Sequence, residues 1–302
     1  MSEYIFQAHN LVKRYKSYNV LDRLNMNVKK GEIYGFIGEN GAGKTTTIKI
    51  ICGLTEKTDG EIKLFGESSP QEIIKLRNKI GCIIEAPSAY PEMTAEQNME
   101  VQRIQRNIKD KTRVKSVLEL VGLTDTGRRK SKNFSLGMKQ RLGLAAALIS
   151  EPEFLILDEP TNGLDPIGII ELRNLLKKLC SERGISIVVS SHILTELHQI
   201  ATCYGIIHKG VMTEELTRNE MDEKCSKYVI LKTPDSKDAE ELIKSHLKCG
   251  YTQFENGGFR IPVQPEEIEN ICSLMYEKKI RIKEIFWHGE TLESHFKTLI
   301  GE

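Results

Sequence analysis

Little in this chain leans to one side. Its 302 residues hold 43 Lys and Arg against 42 Asp and Glu, a formal net charge of +1. No global field therefore draws it to nucleic acid or to an anionic membrane surface, any such partner must be recognised locally, and no nucleic acid is expected. No apolar run approaches the ~18 to 20 residues that a membrane-crossing helix needs, and the opening MSEYIFQAHNLVKRY has no apolar signal-peptide core. Cysteines 52, 82, 180, 203, 225, 249 and 272 are scattered without a Cys-x-x-Cys pair, which argues against zinc or dithiol redox chemistry. They read as reduced cytoplasmic thiols packed as small hydrophobes. Repeats and low-complexity tracts are absent as well. What remains, 39% hydrophobic and 28% charged residues, is ample for a buried core and predicts two domains.

From Ile33 to about Gly210, short apolar runs alternate with helical patterns. IYGFI, the CII run flanked by Ile80 and Ile84, FLILD, SIVVSS and GIIHK suit strands covered on both faces. Between them Ile169, Leu172, Leu176 and Leu179 recur at helical spacing. The alternation predicts an α/β core with a mainly parallel sheet. Val20, Leu24, Met26 and Val28 fall on alternate positions, so residues 4–30 read as an antiparallel β lead-in. Thr94 and Gln97 stand at capping-box spacing and open a helical insert, about 90–150, with a stripe at Val114, Leu118 and Val121. After residue 220 a βαββαβ pattern over 226–302, folded about an Asn256-Gly257-Gly258 turn, predicts a small C-terminal α+β domain of split-βαβ type.

Three motifs carry chemistry. GENGAGKTT, residues 38 to 46, follows a strand and opens a helix, the context of a phosphate-binding loop. Gly38, Glu39, Asn40, Gly41, Ala42 and Gly43 supply backbone N–H groups that curl around phosphates, and the helix start adds partial positive charge. Lys44 neutralises the β and γ phosphates of ATP, with Thr46 behind it, and Thr45 offers a hydroxyl to Mg²⁺. FLILDEP carries Asp158 and Glu159 to a strand's end, Asp158 as a metal ligand and Glu159 as the base that polarises the attacking water. FSLGMKQR places Ser135 and Gly137 at a helix start, a second anion-binding end. Alone, that last motif reads better as an ordinary serine cap.

Together and in this order the three resemble the nucleotide-binding subunit of an ABC transporter over roughly residues 4 to 225. The resemblance makes Ser135, Gly137 and Gln140 of SLGMKQ the signature that contacts ATP in trans, with Leu136 where glycine is commonest. It makes Asp165 of NGLDP the D-loop aspartate, His192 of SSHIL the switch histidine at the γ-phosphate, and Tyr15 the aromatic under adenine, with Tyr18 as its competitor. It implies a P-loop ABC ATPase core, Mg²⁺-dependent hydrolysis, and a homodimer or a paired cassette. It also implies separate transmembrane permease subunits that hold the chain peripherally on the inner face of the cell membrane. A soluble ATPase acting on nucleic acid or ribosomes would more often show two cassettes or a long coiled coil, and neither is seen here.

One position departs from the family pattern. Glu85 in GCIIEAP stands where glutamine is commonest, as in the bacitracin-resistance and lantibiotic-immunity branch of exporters. Peptide-antibiotic export is the expectation, with export of another drug or a lipid as the alternative. If GCII is a core strand beside the P-loop strand, its end opens onto the crevice of Asp158, and Glu85 faces the metal and the attacking water.

Overall fold

The computed structural model describes residues 3–85, 89–225, 227–247, 250–254, 258–263, 266–289 and 292–300. The chain divides into two compact units, one up to Arg218 and one from Asn219.

The first unit opens with β1 (Tyr4–Tyr15) and β2 (Tyr18–Lys29), which run antiparallel and bring Tyr15 opposite Tyr18 at the hairpin. The alternation expected in β2 slips by one residue. Arg23 takes a φ of +51°, and Leu21 rather than Val20 joins Leu24, Met26 and Val28 in the core. Next come β3 (Ile33–Ile37), every residue of it buried, α1 (Lys44–Ile51) and β4 (Asp59–Leu64). β4 completes the lead-in as a three-stranded sheet in the order β2-β1-β4. α1 buries Thr47, Ile48, Ile50 and Ile51 between this sheet and the next, so its N-terminus is rigidly placed.

α2 (Pro70–Leu76) leads to β5 (Ile80–Ile83). The helical insert follows with α3 (Ala95–Gln105), α4 (Thr112–Leu120) and α5 (Leu136–Leu148). Thr94 and Gln97 form the reciprocal capping box, and buried Asn98 bonds both backbone groups of Tyr90, which fixes the entry to α3. Then come β6 (Phe154–Leu157), α6 (Pro166–Arg183), β7 (Ser186–Ser191), α7 (Leu194–His198), β8 (Cys203–His208) and β9 (Val211–Thr217). The main sheet runs β5-β6-β7-β3-β8-β9, parallel throughout except for β8 with β9. Continuous apolar strands belong in such a sheet because helices cover both faces. Its carboxyl ends gather the functional residues on one side.

The order corrects one expectation. β5 pairs with β6 alone and forms the sheet edge; it does not lie beside β3.

In the second unit α8 (Arg218–Lys224), which begins at the last residue of the first, precedes β10 (Lys227–Lys232), α9 (Ser236–His246), β11 (Thr252–Gln253), β12 (Gly258–Ile261), α10 (Glu267–Glu277), β13 (Glu284–Gly289) and α11 (Leu292–Ile300). The sheet order is β11-β12-β10-β13, antiparallel at every pairing, over a core that includes Val229, Leu231, Ile243, Phe259 and Met275. Asn256 and Gly257 of the expected turn lie outside the described residues. Among the described residues no helix is long and apolar enough to cross a membrane.

Candidate active site

The loop between β3 and α1 needs its glycines. Gly41 and Gly43 have φ of +83° and +115°, and a Cβ on Gly38 or Gly43 would come within 2.6 Å of Ile207 or Leu21. The loop is also buttressed from outside. Ala42 N donates to Glu39 O, and Gly210, in the β8–β9 turn, donates its N–H to Ala42 O at 2.9 Å. His208, the last residue of β8, places Nδ1 3.2 Å from Glu39 Oε2.

Lys44 opens α1 and is only 5% exposed. Its ammonium donates to Gly38 O at 2.6 Å and Glu39 O at 3.2 Å, and lies 3.2 Å from Glu159 Oε1. The next residue, Thr45, donates from Oγ1 to Asp158 Oδ2 at 2.8 Å. Asp158 is 2% exposed, and its other oxygen accepts from Ser190 Oγ at 2.6 Å. A buried carboxylate needs such donors, since an uncompensated charge there is strongly unfavourable. Hydroxyl and carboxylate together make the hard oxygen donor set that suits Mg²⁺, which usually takes one or two protein ligands and keeps several waters.

Glu159 follows with a φ of +50°, a left-handed turn unusual outside glycine. The turn aims the side chain away from its neighbour: Glu159 N donates to Ser190 Oγ, while Oε2 lies 2.7 Å from His192 Nδ1. Burial pushes the Glu159 carboxyl up, but the His192 contact and the Lys44 charge outweigh it and hold the group below its usual range. It is thus an ionised acceptor at neutral pH, pinned between a cation and an imidazole. The cluster Lys44, Thr45, Asp158, Glu159, His192 is built from the start of α1 and the residues that follow β6 and β7. Ser190 belongs to it too, and was not singled out in the sequence. The signal was there in SIVVSS, an apolar strand that ends in two hydroxyls.

The other sequence candidates stand apart. Ser135 caps α5, its Oγ accepting from Met138 N at 3.3 Å, and no atom crowds a Cβ on Gly137 more closely than Leu164 at 3.8 Å. Gln140 lines a small hollow with Gly137, Leu164 and Gly168. Asp165 caps α6 by accepting from Gly168 N. Among the described residues, no hydrogen bond or ion pair joins Ser135, Gly137, Gln140 or Asp165 to the Lys44–Glu159 cluster. Tyr15 and Tyr18 are both exposed at the β1–β2 hairpin, and Lys13 Nζ lies 4.7 Å from the Tyr15 ring centroid. Asn40 and Thr46 sit in the loop and the first turn of α1.

Glu85 differs from expectation. Its side chain is 68% exposed and its carboxylate accepts from Lys49 Nζ at 2.7 Å, which holds it below the usual range. Two features go with this placement: β5 is the edge strand of the sheet, and Glu85 itself has a left-handed φ of +65°.

These features define an ATP-binding cassette. The chain belongs to the ABC transporter family, whose model, described as ABC transporter, matches residues 21–162. It is 40% identical over 299 residues to the Bacitracin transport ATP-binding protein BcrA of Enterococcus faecalis, covering 99% of this chain and 97% of that protein. It is 45% identical over 206 residues to the Lantibiotic transport ATP-binding protein SrtF of Streptococcus pyogenes, covering 68% and 88%. A solved dimeric cassette in a post-hydrolysis state, bound to ADP and Pi, matches with TM-score 0.63 and 27% identity over 70% of this chain and 98% of that one. Cassettes of this family bind ATP and form dimers, and their hydrolysis of ATP is coupled to transport.

Proposed function

We propose that this chain energises export of a peptide antibiotic of the bacitracin or lantibiotic type, by hydrolysing Mg²⁺-ATP beneath separate permease subunits. The observation that carries the reading is the near full-length likeness to a bacitracin transport subunit, which extends through the accessory unit. In the proposed reaction Lys44 and the backbone of residues 38–43 bind the β and γ phosphates, and Tyr15 stacks on adenine. Thr45 and Asp158 would hold Mg²⁺, which when bound neutralises phosphate charge. Glu159 accepts the proton of the attacking water, and His192 holds that carboxylate in place. Ser135, Gly137 and Gln140 of one copy complete the phosphate site of another, with Asp165 beside the seam.

Glu85 enters this reading through Lys49, a contact that ties the exit of β5 to the helix carrying Lys44 and Thr45. In this reading the chain sits at the inner face of the membrane only by way of its permease. The test is resistance: the chain and its own permease are expressed in a sensitive host, and inhibitory concentrations are measured for a cyclic peptide antibiotic, a lantibiotic and an unrelated drug. Protection from a peptide antibiotic, lost with Glu159→Gln, is the expected result. Protection only from the unrelated drug would contradict the proposed substrate class.

A further inference from the structure

Arg113, Ser116, Val117 and Leu120 of α4 stand three and four residues apart and so share one face of the helix. That face walls a cleft of about 610 Å³, whose other sides come from the start of β1, the residue after β2, the end of α5 and the end of α6. Pro152 and Glu153 of the lining lead into β6, and Ile185 leads into β7. The cleft therefore lies at the amino ends of these parallel strands, whereas Asp158, Glu159 and His192 follow their carboxyl ends. It is a separate place from the phosphate-binding loop.

Its chemistry is divided. Val117, Leu148 and Ile185 are buried and apolar, while Lys30 and Arg183 are exposed cations. The two carboxylates of the lining already have cations of their own: Glu151 pairs with Arg113, and Glu153 lies 2.7 Å from Lys79 Nζ. Arg113 is further held by donating from Nε to Ile149 O at 3.1 Å. Among the described residues, neither the Lys30 nor the Arg183 side chain has an ion-pair or hydrogen-bond partner. Burial and the nearby charge of Arg183 hold the Arg113 guanidinium below its usual value, so positive charge is crowded on this side of the cleft. Uncompensated cations beside an apolar wall complement an anion that carries an apolar body.

We propose that this cleft binds a small amphipathic carboxylate, its charged group met by Lys30 and Arg183 and its apolar body laid along the α4 face at Val117 and Leu120. Such a ligand would touch α4 of the helical insert, the β lead-in and the end of α6 at once. It would brace these parts from the end of the sheet opposite the nucleotide, without competing for the atoms that hold phosphate.

The probe is decanoate, titrated calorimetrically below its micelle concentration into the full chain, with decylammonium and acetate run beside it. Decanoate is expected to saturate at one site per chain, and neither control to bind in the same range. Arg183→Glu should weaken decanoate by about tenfold or more, the loss expected for a charge-assisted contact. Ser116→Trp, which adds bulk to the cleft from an exposed position, should abolish binding. Both substitutions are at exposed positions, and the melting temperatures of the variants check that the fold is kept. Lys44→Ala should bind decanoate as wild type does. Absence of decanoate binding, equal binding of decylammonium or acetate, or unchanged affinity in Arg183→Glu or Ser116→Trp would overturn the proposal. Loss of binding in Lys44→Ala would place the anion in the phosphate-binding loop and overturn it equally.

Discussion

His192 Nδ1 lies 2.7 Å from Glu159 Oε2, at the ends of two adjacent parallel strands. The other carboxylate oxygen is 3.2 Å from Lys44 Nζ, so one carboxylate links the histidine to the buried lysine at the start of α1. Replacing that carboxylate by an amide keeps the shape and removes the base. Glu159→Gln should lower ATP turnover by roughly 10² to 10⁴ while leaving nucleotide affinity largely intact. Lys44→Ala should do the reverse first, weakening binding. Turnover and equilibrium nucleotide binding, measured on both variants, separate the two roles; unimpaired turnover in Glu159→Gln would contradict the assignment.

The same contact sets a pH dependence. Glu159 is held below its ordinary value by His192 and Lys44, so its ionised form persists as pH falls through the normal carboxylate range near ~4.3. Removing the histidine raises the carboxyl toward that range or beyond, because burial then acts with less opposition. The acid limb of the pH–rate profile should therefore begin at higher pH in His192→Ala than in wild type. Superimposable acid limbs would mean that the histidine does not govern the charge on Glu159.

Gly43 and Gly41 both have positive φ but differ in surroundings. A Cβ at Gly43 would meet Leu21 at 2.6 Å and Val20 O at 3.1 Å, whereas nothing lies within 4 Å of one at Gly41. Gly43→Ala combines backbone strain with overpacking and should cost about 2 to 4 kcal/mol, against about 1 kcal/mol for Gly41→Ala. Thermal melts without nucleotide compare the two. Equal losses would show that strain alone, and not the packing of the β lead-in on the loop, decides.

Glu85 and Lys49 supply a subtler test. A glutamine at position 85 keeps an oxygen that accepts from Lys49, whereas alanine does not. Glu85→Ala is expected to lose most ATPase activity and all resistance in cells, and Glu85→Gln to retain part of both. Because the pair is exposed, neither change should move the melting temperature appreciably. Wild-type activity and resistance in Glu85→Ala would leave the carboxylate without a functional role.

The parts of this site that are local were legible in the sequence. The P-loop, the Asp158-Glu159 strand end and the Thr94–Gln97 box depend on spacing along one segment, and the backbone honours that spacing. What the sequence did not disclose depends on which strands are neighbours. Glu85 faces the metal only if β5 lies beside β3, but β6 and β7 intervene and leave β5 at the edge. Ser190 becomes a ligand of Asp158 only because β7 adjoins β6. Lys49 meets Glu85 across 36 residues of chain, a pairing with no local signature. The slip in β2 at Arg23 likewise follows from bulges in its pairing with β1, which periodicity alone does not reveal.

Within one chain, Ser135 and Gly137 make no bond to the Lys44–Glu159 cluster among the described residues; in the proposed function a second copy or sibling cassette supplies them. ATP held at Lys44 then contributes binding energy across the interface, and dimerisation becomes linked to nucleotide. Static light scattering of Glu159→Gln, with and without Mg²⁺-ATP, measures this most directly. The variant should be a monomer without nucleotide and a stable dimer with it, and a further Ser135→Arg should abolish the dimer. A species that stays monomeric at ATP far above its dissociation constant would contradict this pairing of cassettes.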